Sequence, residues 1–218
     1  MSRNKCGRCG LVNSEADETC RRCGEPLTDQ PTTGEHAPKK RSLLKRVIWV
    51  VSTTIVLLFI GYMSMLMTSE DLRYDQREVV DRAIAVLDGK GFQKHSFVLK
   101  RLTRYRATDS WWNRYLGHRD AFAATNFPFE IVTLYPEFFE ISSDDTERAA
   151  ILLHEAEHLL GAGEERALEA TWRRKGQLGW TGSTYSQSRV LHNTRELTQR
   201  MVPHLFNCGA DGTSDCTE

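Results

Sequence analysis

The sequence predicts an α+β fold, mainly helical with a small sheet, for a C-terminal domain over residues 70–218. Three observations predict it. Apolar residues recur at helical spacing over residues 70–90, around 150–160 and over 185–201. One run, Phe129 to Tyr135, has strand composition and is bounded by Pro128 and Pro136. Ahead of the domain, Val47 to Met67 carries no charged residue, and two CxxC pairs precede that run.

The chain has 218 residues and a formal net charge of zero, which leaves no whole-chain electrostatic case for nucleic acid. The charge is uneven. Residues 1–46 hold ten Lys/Arg against six Asp/Glu, and the remainder holds 19 against 23. Cysteines are split too. Four lie within the first 23 residues, and Cys208 and Cys216 lie at the far end. That division fits two redox compartments, with thiolates kept reduced on one side and a Cys208–Cys216 disulfide allowed on the other.

In chain order, residues 1–28 contain Cys6-Gly7-Arg8-Cys9-Gly10 and Cys20-Arg21-Arg22-Cys23-Gly24. Each CxxC turns two thiolates onto one side, and the following glycine permits the turn. Four thiolates form a closed, tetrahedral zinc site, so Cys6, Cys9, Cys20 and Cys23 are its expected ligands and the metal is structural. Residues 29–46 read as a polar linker ending in Lys39-Lys40-Arg41 and Lys45-Arg46. Residues 47–67 would measure about 31 Å as a helix, enough to span a bilayer core. Basic residues precede this span and Glu70 and Asp71 follow it. The positive-inside rule then places the N-terminus in the cytoplasm and residues 70–218 outside.

Within 70–218, Val79, Val80, Ala83, Ile84 and Leu87 make one face of a first helix, which stops at Gly89-Lys90-Gly91. Phe97 to Leu102 and Tyr105 are expected to be strand. Trp111, Trp112 and Tyr115 are expected in the core or a groove wall, an interfacial role being the lesser alternative. His118 reads as a surface or structural histidine before a metal ligand. A helix starts near Asp144, which is spaced from Glu147 as a capping box, and ends at Gly161 and Gly163. Inside it lies His154-Glu155-Ala156-Glu157-His158. Histidines at i and i+4 share a helix face and can reach one metal ion, with Glu155 beside them. Two histidines on zinc need a third protein ligand and one open position. Glu164 and Glu165 follow the turn and open another helix, Glu165 to Lys175. A loop over 176–183 and a last helix over 185–201 complete the domain. Glu157 is a charge in the middle of an apolar run and must meet water or a cationic partner.

The residues from Ala149 to Trp172 resemble the zincin metallopeptidases. The resemblance implies zinc ligands at His154 and His158 and a general base at Glu155. The third ligand is implied at Glu164, six residues after His158 and opening a Glu-x-x-Ala pattern to Ala167, with Glu165 the second choice. It also implies that the strand before the motif helix lines the cleft and offers an edge to an extended substrate. Tyr185 and His192 could serve as oxyanion donors, with core or surface duty the plainer reading. The paired cysteine knuckles resemble a short bacterial zinc ribbon. Together these features imply a membrane-anchored peptidase with one catalytic and one structural zinc. It would hydrolyse peptide bonds of envelope or extracellular proteins by zinc-activated water. The ribbon would meet a cytoplasmic protein, since no basic-aromatic stripe favours nucleic acid. The alternative is a non-catalytic, membrane-tethered scaffold or regulator with a degenerate zincin-like domain.

Overall fold

The computed structural model describes residues 4–14, 16–27, 43–116, 121–209 and 214–217. Most of the expected linker and His118 lie outside these residues. The chain divides into two compact units, Met1–Ser52 and Thr53–Glu218.

In the first unit, β1 (Asn4–Lys5) pairs antiparallel with β2 (Val12–Asn13). The two knuckles repeat one hydrogen-bond pattern. Cys6 N–H donates to Leu11 O and Gly10 N–H to Cys6 O, at 2.9 and 3.0 Å. Cys20 N–H donates to Glu25 O and Gly24 N–H to Cys20 O, at 2.8 and 2.9 Å. Gly10 and Gly24 hold φ of +74° and +70°, where a Cβ would strain the turn. Buried Asn13 ties the knuckles together, accepting from Arg21 N–H and donating to Leu11 O.

Helix α1 (Leu43–Met67) is long and apolar enough to cross a membrane, and its apolar window is not buried within the chain. Its last carbonyls lack intrahelical donors. Thr68 N–H and Oγ1 serve Ser64 O, Ser69 Oγ serves Met65 O at 2.7 Å, and Arg106 serves Leu66 O. This buried guanidinium donates to Leu66 O, Ser69 O and Ser69 Oγ, and pairs with Asp71. A cation at a helix C-terminus also opposes the negative end of the dipole.

The second unit continues with α2 (Tyr74–Gly89), which buries Val80, Ala83, Ile84 and Leu87 as its spacing requires. Next comes α3 (Gln93–Arg101), which corrects the expectation of strand over 97–102. The period that won is helical: His95, Ser96, Val98 and Leu99 are buried while Phe97 faces out. Then β3 (Arg104–Arg106) carries the buried Tyr105. Trp111, Trp112 and Tyr115 lie on α4 (Trp111–Leu116) and are exposed, not in the core.

β4 (Ala123–Asn126) and β5 (Ile131–Leu134) complete a sheet of order β3-β5-β4, with β5 parallel to β3 and antiparallel to β4. All four residues of β5 are buried, which suits a central strand. The strand expected to offer its edge is therefore the interior one, and the edge belongs to β4. The chain then forms α5 (Pro136–Glu140), α6 (Asp145–Leu159), α7 (Glu164–Leu178) and α8 (Arg189–Met201), and a 3₁₀ turn over Pro203–Phe206.

Helix α6 is capped by Asp144, which accepts from Thr146 N–H and Glu147 N–H at 2.9 Å each. The Glu147 carboxylate reaches back to Ser143 N–H at 2.7 Å, one residue before the expected partner. Gly161, at φ +86°, ends the helix. Helix α7 runs through Gly176 to Leu178 and stops at left-handed Gly179, beyond the loop boundary expected at 176. Around α6 pack Val80, Ile84, Leu87, Leu99, Trp172 and Val190, among others, as one core.

The tail is fastened twice. Cys208 and Cys216 form a disulfide. Asp215 pairs with Lys175 at 3.0 Å, both side chains buried, and accepts from Trp172 Nε1 at 2.9 Å. Burial pushes the Asp215 carboxyl up, but Thr217 and Lys175 outweigh it and leave its pKa below the ordinary value. The folded-state pKa being depressed, the pair stabilises the fold above the unfolded value of about 3.9. That contribution is lost as pH falls through the folded value. Asp215→Ala should destabilise the domain by about 3 kcal/mol near neutrality, since it removes one partner of a buried pair. The loss should shrink in acid, as read from urea melts across pH.

Candidate metal centre and cleft

Helix α6 buries Ala149, Ala150, Leu152, Leu153 and Ala156 in the core. His154, Glu155 and His158 sit on its opposite flank and line a cleft of about 630 Å³. Gly161 reverses the chain, and Gly163 serves as the N-cap residue of α7. Glu164, the first residue of α7, is thereby returned to the histidines.

His154 Nε2 and His158 Nε2 stand 3.1 Å apart. Glu164 offers Oε1 at 3.5 Å from His154 Nε2 and Oε2 at 3.1 Å from His158 Nε2. Two nitrogens and a carboxylate thus lie within 4.8 Å of one another. Ligands held about 2.0–2.1 Å from a tetrahedral zinc are about 3.3 Å apart, so the donor set fits the ion. Glu165 is exposed and not part of this cluster. His158 Nδ1 donates to Ala162 O at 3.0 Å, which turns Nε2 toward the cluster and, in the neutral ring, leaves its lone pair there. His154 Nδ1 is buried without a partner among the described residues, so this support is one-sided.

Burial works against charge on His158. The Glu164 hydrogen bond, the nearby Glu155 charge and the Ala162 carbonyl outweigh it and lift its pKa to about 9. Hydrogen bonds from His154 and His158 hold the Glu164 carboxyl far below the ordinary carboxylate range.

Glu155 is buried, and its Oε2 accepts from Thr125 Oγ1 of β4 at 2.6 Å. Thr125 was not singled out in the sequence, where a threonine thirty residues away carries no signal. Glu157 finds a cationic partner in Arg174 and a second hydrogen-bond partner in His95. It meets His95 Nε2 of α3 at 2.9 Å and pairs with Arg174 of α7. Burial raises the Glu157 pKa, but those two partners more than reverse it.

Tyr185 and His192, which could have served as oxyanion donors, have other partners. Tyr185 OH donates to Asp144 Oδ2 at 2.7 Å, at the far end of α6, and exposed His192 meets Ser186 O at 2.8 Å. Trp180 and Asn193 line the cleft, and the buried Trp180 Nε1 has no partner among the described residues. Apolar wall is supplied by Phe122, Ala124, Ile151, Leu168 and Leu197.

The second donor set is the cysteine cluster. Cys6 and Cys23 sulfurs are 3.6 Å apart, and those of Cys9 and Cys20 are 3.5 Å apart. A Zn–S bond of 2.3 Å at tetrahedral angles separates sulfurs by about 3.8 Å. The four-cysteine cluster could hold a metal ion.

Comparison of the chain with family models, with curated proteins and with solved structures gave no match. The functional reading therefore rests on the geometry of these two clusters and on α1.

His154→Ala removes one donor of the cleft cluster and none of the cysteine cluster. The full chain should lose about one equivalent of tightly held zinc and keep the other. Metal analysis after gel filtration reads both; unchanged stoichiometry would show that the cleft holds no zinc.

Proposed function

We propose that this chain is a membrane-anchored, zinc-dependent peptidase. The observation that carries the reading is the meeting of His154, His158, Glu164 and the buried Glu155 in one cleft. His154, His158 and Glu164 would hold zinc, and Cys6, Cys9, Cys20 and Cys23 would hold a structural zinc. Bound in the cleft, zinc would polarise a peptide carbonyl and acidify a water molecule.

The chain's own residues do the rest. Glu155 takes a proton from the attacking water and returns it to the leaving amine. Thr125 Oγ1 occupies Oε2, so the carboxylate is held in one orientation and Oε1 is left for the proton. The apolar walls limit water around the reacting groups. β4 is a sheet edge and lines the cleft through Ala123, Ala124 and Thr125. An extended peptide can pair with that edge and present its backbone to Glu155.

The basic residues before α1 argue for a cytoplasmic N-terminus, and the Cys208–Cys216 disulfide supports an oxidising compartment for the C-terminal domain. Substrates are then peptide bonds of envelope or extracellular proteins. The free thiols of the cysteine cluster fit the reducing side, where a cytoplasmic protein is the expected partner.

Glu155→Gln keeps the size of the side chain and removes its basicity. Cleavage of a mixed peptide library by the full chain in nanodiscs should fall about 10²- to 10⁴-fold with zinc content unchanged. Equal cleavage by both forms would end the general-base assignment, and no cleavage by either would favour a scaffold. Thr125→Val should also retain zinc but lower kcat about tenfold, through loss of one hydrogen bond to a charged group.

A further inference from the structure

The aromatic residues expected in the core form a row on the surface. Trp111, Trp112 and Tyr115 are 44%, 40% and 79% exposed. Their rings are contiguous, with centroids 5.6 Å apart for the Trp pair and 6.0 Å for Trp112 and Tyr115. A folded domain seldom leaves two adjacent tryptophans open without a partner surface. Trp and Tyr in such a row suit the level of lipid headgroups, where an apolar ring and a polar edge are both satisfied.

The row begins where α1 ends. Trp111 N–H donates to Thr68 Oγ1 at 3.2 Å, and Arg114 reaches Thr68 O at 3.5 Å. Glu70 N–H donates to Thr108 Oγ1 at 2.9 Å, and Arg106 binds Leu66 O and Ser69. Helix and domain are therefore joined by a short network rather than a loose tether.

The domain touches α1 a second time. Phe129 stacks on Tyr62 with centroids 6.3 Å apart, and its ring lies against Gly61. Gly61 is six residues before the helix end, about 9 Å along the axis. The uncharged run 47–67 is itself about 31 Å long and fills a bilayer core, so a contact about 9 Å inside its outer end brings the β4–β5 turn down to the lipid boundary when α1 spans. Phe127 belongs to the same β4–β5 turn, is 63% exposed and lines the cleft.

We infer that the face carrying Trp111, Trp112, Tyr115 and Phe127 is seated in the lipid interface of the bilayer that α1 crosses, with the cleft opening at that surface. Continuity with α1 at both contacts selects lipid as the occupant. On the peptidase reading, on which this one clause rests, the substrate class is a polypeptide segment emerging from the bilayer.

The test uses the full chain in nanodiscs built from ordinary phosphatidylcholine or from the same lipid brominated high on its acyl chains. Trp111→Phe/Trp112→Phe is compared with the parent, so the difference spectrum reports those two indoles; Trp49, Trp172 and Trp180 are common to both. Matching far-UV circular dichroism confirms the fold of the variant. The difference emission should lie to the blue of free indole and lose intensity in brominated discs. Difference emission that is equal in both lipids would overturn the seat, and if it came with a dimer in sedimentation it would assign the face to a second copy. Peptides displayed on lipid anchors should be cut faster than the same peptides free in solution; equal rates would overturn the substrate class. Quenching needs no turnover, so a chain that is quenched but cuts nothing retires the peptidase and keeps the lipid seat.

Discussion

Helix α6 must satisfy two demands that conflict. It runs through the middle of the C-terminal unit, so most of its surface has to be apolar. It also carries four ionisable groups in five residues, from His154 to His158. The conflict is resolved by the helical period. His154, Glu155 and His158 face the cleft, where Thr125 and Glu164 meet them. Glu157 points between α3 and α7, where Arg174 neutralises it and His95 hydrogen-bonds it. An ionised carboxylate left unpaired there would be strongly unfavourable, so these two contacts also hold the two flanking helices against α6. Helix α7 is the one that returns Glu164, and its placement follows from this packing.

A second junction joins the domain to α1. Helix C-termini leave carbonyls without donors, and a water-exposed end would meet that need with solvent. Here the need is shared by Thr68, Ser69 and Arg106; Arg106 comes from β3, a strand of the same sheet whose other edge borders the cleft. The sheet thus connects the end of the apolar helix to the wall of the candidate site through three short strands. Orientation of the cleft relative to α1 is set by backbone and hydrogen bonds.

Parts of this could be read without coordinates because they depend on neighbours in sequence. The cysteine knuckles need only local turns, and both form. The capped, glycine-terminated α6 follows from Asp144 and Gly161. The disulfide at Cys208 and Cys216 closes within a short loop. The errors have physical causes too. Residues 97–102 have strand-forming composition, but burial of Val98 and Leu99 beside His95 is a helical pattern that only becomes clear once α6 is there to bury it. β5 looked like an edge because its own neighbours were unknown; Arg104–Arg106 and Ala123–Asn126 cover it from both sides. Tyr185, ahead of α8, and His192, on it, take the plainer duty the sequence favoured, with Asp144 and Ser186 as their partners.

The sequence by itself determined what local geometry controls: the helix over 70–90, where α6 starts and stops, that His154 and His158 share a face, and that one helix is long and apolar enough for a bilayer. Only the tertiary structure decided what depends on distant segments meeting. It put Glu164, and not Glu165, beside the histidines, brought Thr125 to Glu155, partnered Glu157 and placed Trp111 and Trp112 outside. The reason is that spacing along a helix follows from 3.6 residues per turn, whereas contacts between elements depend on the packing of the whole chain.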